Sequence, residues 1–89
     1  MLEKQIQTRI KAALEKQGWV VIRPVSVAKS GYPDLWCLKN GKVVFVEVKK
    51  EGEKPTALQI HRHKELREMG FKVIVASSKK DIENINSDG

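Results

Sequence analysis

A chain of 89 residues, 40% of them apolar, can form one small folded domain and leaves little room for a separate recognition module. Lysine and arginine total 17 against 11 acidic residues, and the net charge of +6 favours a polyanionic partner such as nucleic acid, although solubility alone also explains it. The single cysteine, Cys37, excludes an internal disulfide and a multi-cysteine zinc site. The longest apolar run, 43–46, is too short for a membrane span or a signal peptide, so we expect an intracellular protein with no membrane partner.

The first third of the chain predicts a helix, a short strand and a loop. Apolar residues at positions 2, 6, 10, 13 and 14 have the spacing of an amphipathic helix over 2–17, and Gly18 is a suitable residue to end it. The segment 19–23 is rich in residues that favour strands, and Pro24 limits that strand. The segment 25–33 contains two serines, a glycine and a proline, which indicate a loop.

The middle of the chain predicts a β-hairpin. Asn40-Gly41 lies between two apolar runs, the strongest short-range signal for a two-residue type I′ turn. The two strands are expected to cover 34–39 and 42–50. Both faces of this hairpin carry apolar side chains, so the sheet should be covered on both sides, with Cys37 as a small buried residue.

The last part of the chain predicts a second helix and a final strand. Thr56 is a suitable N-cap for a helix over 56–69, and Gly70 is a suitable residue to end it. The apolar segment 71–76 predicts a strand. A right-handed crossover through the helix sets this strand parallel to the second strand of the hairpin.

These elements together predict an α/β fold with a mixed four-stranded sheet flanked by helices. A short helix is expected over 81–85. We expect a single domain over residues 1–83, and a frayed C-terminal tail over 84–89.

The predicted turn also determines which hairpin residues face each other. A two-residue turn at Asn40-Gly41 pairs residues whose numbers sum to 81. Asp34 and Glu47 have this sum, so we expect them directly opposite each other, with Cβ atoms roughly 5 Å apart. Side chains alternate along a strand, which places Lys49 on the same face as Glu47.

Two opposed carboxylates beside a lysine suggest a metal site. The acids repel each other unless a cation lies between them, and Mg²⁺ or Mn²⁺ suits carboxylate oxygens of Asp34 and Glu47 together with the Val48 carbonyl and water. Such an ion stabilises the charge that develops in phosphodiester hydrolysis, and Lys49 could orient or deprotonate the attacking water. The alternative is a turn residue after Pro33 and ordinary charges at a strand end, but the apolar surroundings of Glu47 favour the metal site.

These residues resemble the PD-(D/E)XK nuclease motif, which lies on a restriction-endonuclease-like αβββαβ core. The most similar branch is the VRR-NUC (virus-type replication-repair nuclease) domain, whose pattern is matched by Gly31-Tyr32-Pro33-Asp34, Glu47-Val48-Lys49, Gln59 and Glu3. The resemblance spans about residues 2–76 and extends to Holliday-junction resolvases, which act as homodimers. It implies that the two acids bind Mg²⁺ or Mn²⁺, that the lysine is catalytic, and that the glutamine supports the site.

Two of the matching residues have a second interpretation. Glu3 lies in the first turn of the predicted helix, where an acid is favourable near the positive helix end, whereas the resemblance implies a contact behind the metal ligands or to a second metal. Gln59 follows Thr56 by three residues, which matches a capping box in which the glutamine bonds back to the Thr56 N–H. The residues alone leave capping and site support equally open, and the resemblance favours the site for Gln59.

Four further residues are assigned to the surroundings of the site. His61 and His63 are two apart on a helix and point in different directions, so they cannot chelate one ion, and we expect both at the surface or its boundary. Among the many lysines, Lys29 and Lys50 are the ones we expect to contact DNA phosphates.

The sequence therefore predicts a metal-dependent DNA endonuclease. No element for reading bases is evident, so recognition should depend on DNA shape, with branched DNA such as junctions or flaps as substrate. A symmetric homodimer would supply a second cut site and more contact area. The alternative is a non-catalytic nucleic-acid-binding module or a subunit of a larger assembly, against which the intact set of Asp34, Glu47 and Lys49 argues.

Overall fold

The computed structural model describes residues 2–25 and 30–86, which form a mixed sheet with helices on both faces. The elements, in chain order, are α1 (Glu3–Lys16), β1 (Val20–Ile22), β2 (Leu35–Lys39), β3 (Lys42–Val48), α2 (Ala57–Glu68), β4 (Lys72–Ala76) and a 3₁₀ helix (Lys79–Ile82). The strands lie in the order β1-β2-β3-β4, and only β3 and β4 are parallel. The predicted element order and mixed sheet are confirmed. No helix of the described residues is both long and apolar enough to cross a membrane.

Helix α1 is amphipathic and covers one face of the sheet. Ile6, Ile10 and Leu14 recur at intervals of four residues and are buried against the strands. The helix ends before Gly18, whose φ of 97° lies in the left-handed region that glycine adopts without steric cost. Its bounds agree within one residue with the predicted helix over 2–17.

The hairpin has the predicted turn and register. Asn40 and Gly41 have φ values of 48° and 78°, and a type I′ turn requires positive φ at both central residues. Pairing begins with the residues beside the turn and continues to Leu35 opposite Val46, with paired numbers that sum to 81 throughout. The ladder is shorter than predicted at its open end, since β2 begins one residue later and β3 ends at Val48.

Helix α2 connects the hairpin to β4 as a crossover. Thr56 is its N-cap, and the Thr56 hydroxyl accepts a hydrogen bond from the Gln59 N–H at 3.2 Å. After the helix, β4 returns parallel to β3, with Glu47 beside Val75 and Val48 beside Ala76. The predicted parallel pairing of the last strand with the second hairpin strand is confirmed.

Helix α2 does not bury all of its apolar side chains against the sheet, as a simple amphipathic helix would. Leu58 and Met69, although apolar, are 43% and 65% exposed. The buried residues of this helix are His63 and Leu66. A polar side chain therefore lies at the centre of the surface that α2 presents to the sheet.

Two apolar clusters lie on opposite faces of the sheet. The larger one, on the α1 face, contains Ile6, Ile10, Leu14, Trp19, Leu35, Cys37, Val44, Val46, Val48, Ala76, Ile82 and Ile85. The smaller one, on the α2 face, is built on Phe45, Leu66 and Val73. Each fully buried aliphatic side chain contributes roughly 1.5–3 kcal/mol, so the α1 face supplies most of the stability. The α2 face, with fewer apolar groups, is the one that can accommodate polar residues.

Cys37 is a fully buried member of the larger cluster, as predicted. Burial raises the pKa of its thiol to about 12. The thiol is therefore protonated at neutral pH and acts as a small apolar group rather than as a nucleophile.

The packed part of the chain extends beyond residue 83, where we expected the domain to end. Ile85 is 2% exposed, and its burial in the larger cluster explains why this segment is held against the sheet. Asn86 Nδ2 also lies 3.4 Å from Gln17 Oε1. The expected frayed tail is thus wrong for residues 84–86, and 87–89 lie outside the described residues. The short helix predicted over 81–85 is a 3₁₀ helix that begins and ends earlier, at Lys79–Ile82.

Candidate active site

Asp34 and Glu47 lie next to each other on the α2 face of the sheet. Asp34 immediately precedes β2, and Glu47 is the penultimate residue of β3. The ladder that pairs Leu35 with Val46 places the two acids opposite each other, where Asp34 can accept a hydrogen bond from a protonated Glu47. The predicted adjacency of the two acids is therefore observed.

The surroundings of Glu47 favour its neutral form. Burial is the largest cause that raises the pKa of Glu47 from 4.5 to about 9, followed by the hydrogen bond and the negative charge of Asp34. The charge of Lys49 lowers this pKa, and that of Glu3 raises it. At neutral pH, the Glu47 carboxyl group therefore keeps its proton when no metal is bound. A divalent cation bound at this site would take the place of that proton by stabilising the carboxylate form of Glu47.

Pro33 explains why the Val48 carbonyl is available beside these acids. In a hairpin with a two-residue turn, every second residue pair is hydrogen-bonded, beginning with the pair beside the turn. Counted outwards in this way, Pro33 and Val48 form the first such pair beyond the end of β2. Proline has no N–H, so it offers no donor to the Val48 carbonyl. The Pro33 carbonyl accepts from Trp36 Nε1 at 3.1 Å, and the Val48 N–H donates to Asp34 Oδ2 at 2.9 Å. The Val48 carbonyl, which points to the same side as its N–H, lacks its ladder donor.

Lys49 is buried at the end of β3. Its N–H donates to the Ala76 carbonyl at 3.0 Å, which extends the pairing with β4 and keeps the side chain on the face of Glu47. The side chain is 8% exposed, and its Nζ lies 3.5 Å from Glu53 Oε1. The positive charge of Lys49 lowers the pKa of Glu47 and that of His63, so the ammonium lies close to both groups.

His63 belongs to the site, contrary to its expected surface position. His61 is exposed as predicted, but His63 is 2% exposed, and its Nε2 lies 3.1 Å from Glu47 Oε1. Burial, and then the positive charges of Arg67 and Lys49, lower the pKa of His63. The ring is therefore neutral at pH 7, and the contact with Glu47 is a hydrogen bond rather than a salt bridge.

The loop that leads into β2 is packed tightly against α2. Gly31 has a φ of 78°, and a Cβ at this position would lie 2.6 Å from Leu58 Cγ and 3.1 Å from the Leu58 backbone. Both facts require glycine here. Arg62 Nε donates to the Ser30 carbonyl at 2.8 Å, and the Arg62 guanidinium lies 4.8 Å from the centre of the Tyr32 ring. The start of the Gly-x-Pro-Asp segment is thereby attached to α2.

Gln59 caps α2, and Glu3 lies in the first turn of α1. Gln59 Oε1 accepts a hydrogen bond from the Thr56 N–H at 2.8 Å, so the capping box is formed. Gln59 also precedes His63 by four residues, so both lie on the same side of α2. This spacing is the sequence signal from which the position of His63 could have been inferred. Glu3 is half-buried in the first turn of α1, and its charge contributes to the raised pKa of Glu47. The catalytic roles of Gln59 and Glu3 stay predictions.

Of the two lysines predicted to contact DNA phosphates, Lys50 lies within the described residues. Lys50 is exposed and follows Lys49 directly, at the end of the sheet where the two acids lie. Lys29 lies outside the described residues. Phosphate binding by either lysine stays a prediction.

The site residues fit a hard divalent ion that keeps part of its water. Within residues 2–25 and 30–86, no group of three or more His, Cys, Asp and Glu side chains could hold a metal ion. Mg²⁺ needs fewer side chains than that, because it usually retains several waters and is bound through one or two carboxylates. Asp34, Glu47 and the Val48 carbonyl, which has no ladder donor, match this pattern. Mn²⁺ also prefers oxygen ligands of this kind.

Known proteins similar to this chain include nucleases. The profile of the archaeal Holliday junction resolvase (Hjc) family matches residues 4–68. A provisionally named nuclease, p44, of Acyrthosiphon pisum secondary endosymbiont phage 1 is 39% identical over 84 residues, which cover 93% of this chain and 89% of p44. A solved VRR_NUC domain has a TM-score of 0.81 and 33% identity, and the match covers 98% of this chain and 97% of that one. A second solved structure, a VRR_NUC domain protein at 21% identity, shares the fold with a TM-score of 0.75, over 97% and 85% of the two chains.

The fold, the paired acids beside a lysine, and these relatives define a nuclease. The chain belongs to the archaeal Holliday junction resolvase (Hjc) family, and its fold is that of a VRR-NUC domain. The resemblance inferred from the motif is confirmed, and so is the αβββαβ core.

Proposed function

We propose that the protein is a Mg²⁺- or Mn²⁺-dependent endonuclease that hydrolyses phosphodiester bonds of branched DNA. The observation that carries this proposal is the opposed pair of Asp34 and Glu47 beside the Val48 carbonyl, which has no ladder donor, and the buried Lys49. Family membership supports nucleic-acid cleavage in general. The metal requirement and the branched substrate are further parts of the proposal that family membership does not specify.

Asp34, Glu47 and the Val48 carbonyl would hold the ion. When bound, the ion would stabilise the negative charge that develops on the phosphate and acidify a bound water. The hydrogen bond from the Val48 N–H to Asp34 Oδ2 restrains rotation of that carboxylate, so it is already oriented toward the second acid. Such pre-orientation reduces the entropy that binding would otherwise cost.

Lys49 would act on the attacking water or on the phosphate. In the structure its ammonium contacts Glu53, which is 45% exposed and can move into solvent. A phosphate oxygen is a stronger partner for a buried ammonium than an exposed carboxylate, because it is held in a site from which water is partly excluded. If a phosphate of the substrate replaced Glu53 as the partner of Lys49, the ammonium would lie next to the reacting phosphorus.

The substrate and assembly are inferred from charge and size. A net charge of +6 supports binding to a polyanion, with Lys29 and Lys50 as the proposed phosphate contacts. A single domain of this size covers a short stretch of DNA, so we propose a symmetric homodimer that places two sites on a two-fold symmetric junction. Gln59 and Glu3 are proposed to support the site from α2 and α1.

The proposal is tested by cleavage of a panel of labelled DNA molecules. A four-way junction, a flap, a linear duplex and a single strand are incubated with Mg²⁺, Mn²⁺ or EDTA. We expect cleavage of the branched molecules only with a metal ion, and none by Glu47→Ala or Lys49→Ala proteins that remain folded. Cleavage in EDTA, or full activity of either variant, contradicts the site. Equal cleavage of linear duplex contradicts only the preference for branches.

A further inference from the structure

We propose that His63 is a positioning residue that orients the Glu47 carboxyl group for metal binding, by donating its Nε2–H to Glu47 Oε1. This inference rests on the proposed function, because it adds a residue to the same site. The histidine touches one of the acids and none of the atoms that would react. It therefore acts through Glu47.

The contact between the two residues is short and shielded from water. His63 Nε2 lies 3.1 Å from Glu47 Oε1, and the side chains are 3% and 1% exposed. A hydrogen bond in such surroundings is stronger than one in water, and the cost of leaving either group without a partner is high. His63 is thus a specific partner of Glu47 rather than a histidine that happens to lie nearby.

The orientation of the carboxyl group follows from its two partners. Glu47 has three rotatable side-chain bonds, and the extended backbone of a strand allows more than one of their rotamers. His63 contacts one carboxyl oxygen from the α2 side, while Asp34, just before β2, lies opposite Glu47 in the hairpin. When Oε1 is held by the histidine, the other carboxyl oxygen is directed toward Asp34, where the ion is proposed to bind. Metal sites commonly use an outer partner of this kind to orient a ligand.

The backbone around His63 is itself well anchored to the rest of the site. One residue earlier, Arg62 attaches α2 to Ser30 in the loop before Asp34. Four residues later, Arg67 donates to the Val73 carbonyl of β4 at 2.9 Å. The helix is thus tied both to the segment that carries one acid and to the strand beside the other. This makes His63 a rigid support rather than a mobile one.

Metal binding by purified variants tests the role of His63. Manganese alone is titrated calorimetrically into wild-type protein, His63→Leu and His63→Gln, with His61→Gln as the matched control on the exposed side of the same helix. We expect His63→Leu to weaken Mn²⁺ binding by about 10- to 100-fold, the usual cost of losing an outer partner of a metal ligand. His63→Gln, whose amide N–H can occupy the place of Nε2–H, should recover most of this loss. His61→Gln should bind as the wild type does.

A second measurement uses the wild-type protein and does not depend on a variant that folds. The nitrogen resonances of the His63 ring are followed by NMR in EDTA and with Mg²⁺. If His63 donates a hydrogen bond to Glu47, its Nε2 must carry a proton both in EDTA and with Mg²⁺. An unprotonated Nε2, or one that loses its proton when Mg²⁺ is added, overturns the proposal and indicates an acceptor or a direct metal ligand instead.

The outcomes separate this inference from the proposed function. If the wild type binds Mn²⁺ and cuts DNA while His63→Leu binds Mn²⁺ equally well, the positioning role is wrong and the nuclease assignment stands. If His63→Gln is as impaired as His63→Leu, the donor role is wrong as well. If the wild type neither binds metal nor cuts, the proposed function fails and the role of His63 fails with it.

Discussion

Asp34 accepts a hydrogen bond from the backbone N–H of Val48 at 2.9 Å, at the position where a regular ladder would offer the carbonyl of Pro33. One carboxylate therefore closes the open end of the hairpin and also lies opposite Glu47. Its structural and chemical roles can be separated by substitution.

Asp34→Ala should destabilise the protein, and Asp34→Asn should do so much less. Alanine leaves the partly buried Val48 N–H without an acceptor, at a cost of about 1–3 kcal/mol, whereas the asparagine oxygen can still accept it. Urea unfolding in EDTA measures the difference. Both variants should lose metal-dependent cleavage, because neither supplies a carboxylate to the ion. Equal stability of the two variants would show that the Val48 contact contributes nothing.

Lys49→Ala should lower the cleavage rate by at least about 100-fold while the protein stays folded, because a positioned group in proton transfer or charge stabilisation contributes at least that much. Lys11→Ala is the control, since it removes the same charge from a surface pair with Glu15 on α1. Single-turnover cleavage of a junction measures both. A similar loss in the control would attribute the effect to net charge rather than to the position of Lys49.

The stability of the metal-free protein should fall as the pH rises above neutral. The pKa of Glu47 is about 9 in the folded protein and 4.5 for an ordinary glutamate, so between these values the unfolded chain gives up a proton that the folded protein keeps. Each pH unit in this range therefore favours unfolding, by up to about 1.4 kcal/mol. Chemical unfolding in EDTA at several pH values from 7 to about 9 measures the slope.

Two comparisons identify Glu47 as the source of this slope. Glu47→Gln cannot titrate and should remove most of it. Added Mg²⁺ should stabilise the wild type increasingly as the pH rises, because the ion then competes with fewer protons for the two acids. His63, whose pKa is lowered, is neutral over this range in all samples. A slope that persists unchanged in Glu47→Gln would assign it to another group.

Gly31→Ala should destabilise the fold by more than Gly52→Ala. Both glycines have positive φ, 78° and 82°, so alanine costs roughly 1 kcal/mol at each from the backbone alone. At Gly31 the new Cβ would also meet Leu58 Cγ at 2.6 Å, whereas nothing lies within 4 Å at Gly52. Thermal unfolding compares the two. Leu58→Ala should relieve part of the extra cost in the double variant, but not all, because the Leu58 backbone also lies at 3.1 Å.

How much of the site could be foreseen depended on how local each interaction is. Asn40 and Gly41 adopt positive φ for reasons contained in the two residues, and the resulting turn sets the register for the whole hairpin. The adjacency of Asp34 and Glu47 followed from counting along that ladder. The burial of Glu47 followed from the apolar residues on both sides of it.

His63 could not be assigned in this way. A helix has no register with a sheet, and the rotation of α2 about its axis is decided by many weak contacts made at once, including those of Gly31 with Leu58 and of Arg62 with Ser30. Leu58, an apolar residue, is thereby half exposed while His63 is buried. The capping box of Gln59 was anticipated as one of two alternatives, because it involves only neighbours in the chain.

The amino-acid sequence by itself determined the order of the elements, the pairing of β2 with β3 and the meeting of the two acids, since each depends on residues close together in the chain or on simple alternation along strands. Only the tertiary structure decided which face of α2 is turned toward Glu47, how far the C-terminal segment packs, and that a neutral histidine is the partner of the buried acid. These features arise from contacts between segments distant in the chain, whose geometry is settled only when the whole core is packed.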